Sequence, residues 1–341
     1  MEKKMSRIVP NSKGIAVESK RKKYHTLKIA VALILLLIFG AVYQAIGAAV
    51  DRKTYLPIGD LYMVNKTKMH IYIESKQDSQ ATVVFAAGWG TASPYNDFYP
   101  LYQDMAKLAS FAVYDKCGYG YSDITDKPRE IDTIVGEIHS LLILSNQKPP
   151  YILVGHSMAS LEVFRYAQIY PDEVKGIVLI DGGNPELYAN TPPVTLIGSL
   201  QRGFINVGAV RLLYMLPGFA DNLNSERNSL KLVPDNIRKL DKTATLLIAN
   251  NRNILEEMRK SQENAEKVIS AGKLNGISLT ILTADGFGHE DVSWSKSQQA
   301  LTQWSTDSRQ LFIKDSMHYI HQYQPQAVIS QIQEMINEIQ D

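Results

Sequence analysis

The run YILVGHSMAS at residues 151–160 constrains the fold of this chain more than any other stretch. An apolar segment ends abruptly in glycine, histidine and serine, and further small residues follow. This pattern predicts a buried strand that turns sharply into a helix, with Ser157 on the turn. Such a turn exposes the serine hydroxyl, and small neighbours let the strand and the helix pack closely. Alanine stands at position 159, where the Gly-x-Ser-x-Gly pattern has its last glycine.

Short apolar runs alternate with amphipathic stretches along most of the chain after residue 57. The runs that predict strands are LYMV, MHIYI, ATVVFAA, SFAVY, YILVG, VKGIVLID, ISLTILTAD and QLFIKDS. Between them, residues 131–142 place isoleucine, valine and leucine at the spacing of one helical face. The alternation predicts an α/β fold with a mostly parallel, eight-stranded sheet that helices cover on both faces.

Residues 185–274 interrupt this alternation, because they hold helix-like pieces and proline-containing loops but no convincing buried strand. A structureless loop of this length is uncommon in a compact domain, so the segment is interpreted as a helical cap over the sheet. Most of its charges are interpreted as solvated helix faces. The resulting division is a basic tail (1–28), an anchor (29–50), a first core part (51–184), the cap (185–274) and a second core part (275–341).

The N-terminal residues predict a membrane anchor. Residues 1–28 hold nine lysines and arginines against two glutamates, and residues 29–50 hold no charged side chain. A helix rises ~1.5 Å per residue, so residues 29–50 are long enough to span a hydrocarbon core of ~30 Å. The flanking positive charge predicts a single-pass protein of the cell membrane, with a cytoplasmic N-terminus and the remainder outside the cytoplasm. A cleaved signal peptide and a buried core helix are the alternatives.

Four stretches resemble the α/β-hydrolase family, and they occur in the family's order. AAGWGT is similar to the oxyanion loop after the third strand, and YDKCGYGYSD is similar to the turn after the fourth. VGHSMAS is similar to the nucleophile elbow, and MHYIHQYQP is similar to the late histidine loop before the closing helix. The resemblance spans roughly residues 57–340 outside the insertion. It implies the α/β-hydrolase fold, here preceded by one N-terminal transmembrane helix.

The resemblance also implies roles for individual residues. Ser157 is expected to be the nucleophile of a catalytic triad, and His318 is expected to be the base that activates it. The backbone N–H groups of Trp89 and Met158 are expected to form the oxyanion hole.

The acid of the triad stays open between two aspartates. Family members place it either shortly beyond the seventh strand or directly after the sixth. Asp181 ends the sixth strand in VLIDGG and is preferred, with Asp285 as the alternative, whereas Asp291 lies rather late. Either strand end could deliver a carboxylate that orients the histidine and stabilises its charged form.

Other reactive side chains receive structural interpretations. His156 is expected to point away from Ser157 and to pack or hydrogen-bond, and His321 is expected behind the site or on the surface. His289 lies in a polar loop, and Cys117 is interpreted as a small buried residue without a base of its own. No spaced ligand cluster predicts a metal, and no phosphate-cradling loop predicts a cofactor. A net charge of +1 gives no reason to expect a nucleic-acid partner.

The expected function is that of a membrane-anchored serine hydrolase of the carboxylesterase type. It would cleave an ester, or with less support an amide, in a small-molecule substrate through an acyl-enzyme. Serine rather than aspartate at the elbow disfavours the haloalkane dehalogenase and epoxide hydrolase branches of the family. The alternative is a catalytically silent α/β-hydrolase-like binding protein at the membrane surface. Loss of Ser157 or His318 would favour that alternative, and both residues are present.

Overall fold

A computed structural model describes residues 12–288 and 292–340 of the chain. Its strands are β1 (Asp60–Val64), β2 (Thr67–Glu74), β3 (Thr82–Ala86), β4 (Ser110–Tyr114), β5 (Tyr151–His156), β6 (Val174–Ile180), β7 (Ser278–Ala284) and β8 (Ser308–Ile313). They form an eight-stranded sheet in the order β1-β2-β4-β3-β5-β6-β7-β8. β2 runs antiparallel to both of its neighbours, and every other pair is parallel. The predicted eight-stranded, mostly parallel sheet is confirmed.

Helices cover both faces of this sheet. The α-helices in chain order are α1 (Ser12–Thr54), α2 (Pro94–Asp97), α3 (Tyr102–Leu108), α4 (Ile131–Leu144), α5 (Ser160–Ile169), α6 (Pro185–Ala189), α7 (Leu196–Asn206), α8 (Ala209–Leu213), α9 (Phe219–Leu223), α10 (Asp235–Leu247), α11 (Arg252–Arg259), α12 (Ser261–Ser270), α13 (Val292–Ala300), α14 (Ile320–Tyr323) and α15 (Pro325–Gln340). Residues of α4 and α5 pack on one face, and residues of α3 and α15 pack on the other. In α4 the predicted apolar face is buried, including Ile134, Ile138 and Leu141.

β5 shows why the sheet is buried on both faces. Leu153 packs into an apolar cluster with Phe164 of α5, whereas Ile152 and Val154 pack into a second cluster with Ile332 of α15. Successive side chains of a strand point to opposite faces. A strand that is covered on both sides therefore needs a continuous apolar run, which is what this segment of the sequence supplies.

Helices α6–α12 lie between β6 and β7 and are called the cap below. Ion pairs with little solvent exposure fix the cap to the sheet domain. Arg227 of the cap pairs with Asp97 of α2 (3.1 Å) and with Asp241 of α10 (2.9 Å). Lys116, which follows β4, pairs with Glu257 of α11 (2.6 Å). The interpretation of cap charges as solvated does not hold for these residues, because each charge is matched by a partner inside the protein.

α1 is a single long helix that contains the predicted anchor. Within the described residues, Tyr24–Thr54 is the one helix long and apolar enough to cross a membrane. Its large apolar side chains are exposed, for example Leu36 (67%) and Phe39 (71%). A core helix would bury such side chains, so the core-helix alternative does not fit this segment. Residues 1–11 of the predicted basic tail lie outside the described residues.

Candidate active site

Ser157 lies on a sharp turn between β5 and α5. β5 ends at His156 with extended dihedrals, and a short 3₁₀ turn, Ser157–Ala159, leads into α5. The serine backbone has a φ of 55°. This left-handed conformation costs a residue with a β-carbon about 1–2 kcal/mol. The strand-to-helix turn predicted from the sequence is thus observed, with the serine at its apex.

Close packing explains the small residues around this turn. A β-carbon on Gly155 would lie 3.1 Å from a methyl group of Val163 on α5. A β-carbon on Gly88 would lie 2.9 Å from the β-carbon of Ser157. Glycine at these positions lets the helix and the loop after β3 approach the serine. Ala159 has helical dihedrals and is fully buried, so the turn accommodates alanine where the pattern has glycine.

Hydrogen bonds tie this turn to the segment that follows β6. The Gly183 N–H donates to the carbonyl oxygen of Ser157 (3.0 Å). The Ser160 hydroxyl donates to the carbonyl oxygen of Gly183 (2.6 Å). These two bonds hold the end of β6, and with it Asp181, beside the serine.

Asp181 directly follows β6 and is nearly buried, with 4% of its side chain exposed. His318 Nδ1 lies 2.6 Å from Asp181 Oδ2. Trp294 Nε1 donates to the same oxygen (3.0 Å). The Gln298 amide and the Ala284 N–H donate to Oδ1 at 2.7 and 3.0 Å. Four donors satisfy the buried carboxylate and fix its orientation.

This contact also orients the ring of His318. A carboxylate oxygen accepts hydrogen bonds, so this contact suits the ring tautomer with its proton on Nδ1. In that tautomer Nε2 is the acceptor nitrogen. His318 lies on the loop between β8 and α14, and 32% of its side chain is exposed. The ring is therefore held by an acid on one side and accessible on the other.

Ser157, Asp181 and His318 line one cavity of about 590 Å³. Its wall also includes Tyr188 of cap helix α6 and Trp294 of α13. Burial raises the pKa of Tyr188, so its phenol stays protonated at neutral pH. A cavity of this size suits a small-molecule ligand.

Asp285 has different surroundings. Its carboxylate accepts hydrogen bonds from the backbone N–H groups of Phe287, Asp315 and Ser316 at 3.0, 3.1 and 3.2 Å. Slight burial raises the pKa of Asp285, but these hydrogen bonds outweigh that effect and lower the pKa below its ordinary value. Asp285 thus braces the loop that leads to His318.

The structure therefore separates the two candidate acids. It brings Asp181 to the ring of His318 and directs Asp285 to backbone groups of the neighbouring loop. Asp291 and His289 lie outside the described residues. The chemical roles of all these residues stay predictions at this point.

Trp89 and Met158, the predicted oxyanion-hole residues, lie in the segments that flank the serine. Met158 follows the serine and is buried, and Trp89 follows Gly88 in the loop after β3. The indole N–H of Trp89 donates to the carbonyl oxygen of Ile254 in α11 (2.7 Å). The tryptophan side chain thus fixes this loop against the cap. The stabilisation of an oxyanion by these two residues stays a prediction.

Two buried histidines lie behind the site. His156 Nε2 lies 3.2 Å from the carbonyl oxygen of His318, and His321 Nε2 lies 3.1 Å from Asp97 Oδ2. Burial and the neighbouring rings of His318 and His321 lower the pKa of His156 well below its ordinary value, so His156 is neutral at pH 7. Since Asp97 also pairs with Arg227, this polar group supports the His318 loop from beneath and joins it to the cap.

Cys117 is buried and poorly suited to nucleophilic attack. Burial and the adjacent Glu137 carboxylate raise the pKa of the Cys117 thiol to about 12. The thiolate, which is the reactive form, is therefore scarce at neutral pH. Within residues 12–288 and 292–340, no group of three or more His, Cys, Asp or Glu side chains is placed to hold a metal ion.

Sequence reasoning missed three residues that contact the site: Tyr188, Trp294 and Gln298. Trp294 and Gln298 stand at positions i and i+4 of α13, which puts both on one helix face. That spacing was the available signal, but nothing local links this face to Asp181 at the end of β6. Tyr188 comes from a short cap helix that carries no recognisable motif.

A comparison with known families agrees with the observed fold. A family described as alpha/beta hydrolase fold matches residues 81–207. This chain is an α/β-hydrolase-fold protein, and the family match supports a hydrolase.

Three solved structures share the fold at low sequence identity. Lip1 of Acinetobacter baumannii AYE aligns with a TM-score of 0.65 and 15% identity, over 87% of this chain and 96% of that chain. Cfl2 of Burkholderia cenocepacia aligns with a TM-score of 0.60 and 19% identity, over 81% of this chain and 94% of that chain. The enol-lactonase of Burkholderia xenovorans LB400 aligns with a TM-score of 0.57 and 16% identity, over 82% of this chain and 100% of that chain. These likenesses establish the fold alone.

Two sequence relatives come from Bacillus subtilis. The uncharacterized protein YbdG is 27% identical over 285 residues, which cover 82% of this chain and 86% of that protein. The uncharacterized protein YqjL is 35% identical over 106 residues, which cover 31% of this chain and 41% of that protein. The likeness to YbdG extends over most of the chain, and neither relative assigns a substrate.

Proposed function

We propose that this chain is a serine hydrolase of the carboxylesterase type. It cleaves an ester bond, or with less support an amide bond, in a small-molecule substrate. The observation that carries the proposal is the 2.6 Å contact between His318 Nδ1 and Asp181 Oδ2, with Ser157 on the wall of the same cavity. A serine hydroxyl is a poor nucleophile at neutral pH and needs an adjacent base that a third group orients.

Acylation begins when the oxygen of Ser157 attacks the substrate carbonyl carbon and His318 Nε2 accepts its proton. Asp181 stabilises the resulting imidazolium through the hydrogen bond from Nδ1. The carbonyl oxygen becomes an oxyanion, which the N–H groups of Trp89 and Met158 stabilise. One such donor contributes about 2.7–4 kcal/mol in comparable sites. His318 then protonates the leaving alcohol, and an acyl ester remains on Ser157.

Deacylation repeats these proton transfers with water. A water molecule attacks the acyl carbon while His318 Nε2 takes a proton from that water. His318 then returns the proton to the Ser157 oxygen as the acid product leaves. Tyr188 of the cap lines the same cavity as Ser157, so the cap shapes the space in which the substrate binds.

The proposal also places this hydrolase at a membrane. Tyr24–Thr54 is long and apolar enough to serve as a transmembrane anchor. The lysines and arginines of residues 1–28 favour a cytoplasmic N-terminus. The hydrolase domain of this single-pass protein then lies outside the cytoplasm. Cleavage of the helix as a signal peptide would also export the domain, but without an anchor.

A fluorophosphonate probe tests the nucleophile. We expect the full-length protein in detergent to be labelled at Ser157, because the probe reacts with activated serines. Ser157→Ala should abolish labelling, whereas Ser295→Ala is the matched control, since Ser295 lines the same cavity without an assigned role. Wild-type protein that is not labelled and does not hydrolyse short-chain nitrophenyl esters would instead be the catalytically silent binding protein.

Two isosteric substitutions test the choice of acid. Asp181→Asn is expected to lower kcat on a nitrophenyl ester by about 10⁴-fold, because the amide no longer stabilises the charged histidine. Asp285→Asn should lower kcat far less, since Asp285 contacts backbone groups of the loop. Circular dichroism spectra of both variants serve as the folding control. A larger loss for Asp285→Asn than for Asp181→Asn would refute the assignment.

Tags at the two termini test the orientation. Protease added to intact cells should remove a C-terminal tag and spare an N-terminal tag, because only the C-terminal domain is exposed outside. A C-terminal tag that is cleaved only after the membrane is permeabilised would contradict this orientation. An exported protein without its N-terminal tag would show that the helix is a cleaved signal peptide.

A further inference from the structure

α1 and the cap meet through glycines. A β-carbon on Gly40 would clash with the carbonyl oxygen of Val207, which follows α7. A β-carbon on Gly208 would in turn lie 2.5 Å from the carbonyl oxygen of Gly40. Gly208 also has a φ of 74°, which favours glycine. Small residues that let two backbones approach closely are typical of helix contacts inside membranes.

Polar contacts extend this interface toward the end of α1. The Gln44 amide donates to the carbonyl oxygen of Leu246 (3.2 Å) and accepts from Arg211 Nε (2.8 Å). Arg211 also pairs with Asp51 (2.7 Å), directly after the uncharged stretch of α1. One side of the turns between residues 40 and 51 thus packs on the cap and the other side is exposed, whereas the side chains of residues 29–39 are exposed on all sides.

The apolar part of α1 that lies free of the cap is too short to cross a membrane alone. At ~1.5 Å per residue, residues 29–39 rise about 16 Å, roughly half of a ~30 Å hydrocarbon core. An α1 that spans the bilayer must therefore place residues 40–50 within the hydrocarbon as well. Those are the turns on which the cap packs, so the adjoining part of the cap would enter the same layer.

The part of the cap beside these turns has the composition that lipid requires. Large hydrophobic side chains on and around α7 and α8 are each between 39% and 72% exposed. We call them the apolar cap surface: Val194, Leu196, Ile197, Leu200, Phe204, Leu212, Leu213, Met215, Leu216 and Leu223. Contiguous exposed apolar surface of this kind marks an interaction site in proteins. If this surface stayed in water, the protein would lose about 25 cal/mol of stabilisation for each Å² of apolar area left uncovered.

Charged side chains are few in this region. Residues 192–223 contain three: Arg202, Arg211 and, near the end of the segment, the exposed Asp221. Arg202 donates to the carbonyl oxygens of Leu247 and Ala249 at 3.2 Å, and Arg211 pairs with Asp51. Both guanidinium groups thus have partners within the protein, which is how charged groups near hydrocarbon are tolerated.

We propose that the apolar cap surface inserts into the outer leaflet of the bilayer beside α1. The cap and the upper turns of α1 then form one membrane-embedded unit, and the hydrolase domain rests on the lipid surface. The occupant of the apolar cap surface is the hydrocarbon of phospholipid acyl chains. This proposal rests on the proposed membrane anchor and is independent of catalysis.

Fluorescence quenching of the full-length protein in phosphatidylcholine vesicles tests the insertion. In a Cys117→Ala background, Leu200→Cys and Leu212→Cys each carry one NBD label on the apolar cap surface. Both labels should be quenched by doxyl groups on the lipid acyl chains. Iodide, present on both sides of the membrane, should leave them nearly unquenched. Both results follow because the labels would lie in hydrocarbon.

Two further labels serve as controls. Glu266→Cys lies on the exposed polar side of α12 and should be quenched by iodide but not by doxyl lipid. Leu36→Cys lies in the exposed part of α1 and should be quenched by doxyl lipid if the helix spans the bilayer.

The four labels distinguish the ways in which the proposal can fail. Iodide quenching of the Leu200 and Leu212 labels, with lipid quenching of the Leu36 label, would show that α1 is anchored but the cap stays in water. Protection of the cap labels from both quenchers would show that protein, such as a second copy of the chain, covers the surface. Absence of lipid quenching at the Leu36 label would contradict the proposal that α1 is a membrane anchor. Each of these outcomes leaves hydrolase activity as a separate question.

Discussion

The left-handed backbone of Ser157 is the constraint on which the rest of the site depends. Holding a non-glycine residue there costs about 1–2 kcal/mol, and the strain persists because the surrounding structure determines this conformation. Gly155 and Gly88 allow α5 and the loop after β3 to close on the turn, and the Gly183 N–H holds its carbonyl oxygen. Since neighbouring parallel strands end at one edge of the sheet, the same packing brings Asp181 beside the serine.

Buried charge joins this site to the cap. Asp97 contacts His321 behind the site and Arg227 of the cap, and Lys116 pairs with Glu257 of α11. Removing one member of such a pair leaves an uncompensated buried charge and typically costs 3–5 kcal/mol. The cap in turn contributes Tyr188 to the wall of the cavity and packs against α1. Ser157, the cap and the proposed membrane anchor are therefore connected through direct contacts.

Local patterns predicted the strands, a mostly parallel sheet and the turn at Ser157, because strand and helix periodicities are properties of neighbouring residues. The choice of acid needed more than local information. Asp181 and Asp285 both follow buried strands, and only the path of the loop to His318 decides which carboxylate meets the ring. For the same reason, the contacts of Trp294 and of the buried cap charges could not be predicted. Their partners are distant in sequence, so no local pattern could reveal that these polar groups are satisfied inside the protein.

The most direct measurement is the detection of a covalent acyl-enzyme. Full-length protein is mixed with a nitrophenyl ester, quenched in acid within the first turnovers, and digested for mass spectrometry. A single acyl group on the oxygen of Ser157, absent from Ser157→Ala, is the result expected if the strained serine is the nucleophile and His318 its base. Ester turnover without any adduct, or with the acyl group on another residue, would contradict this mechanism.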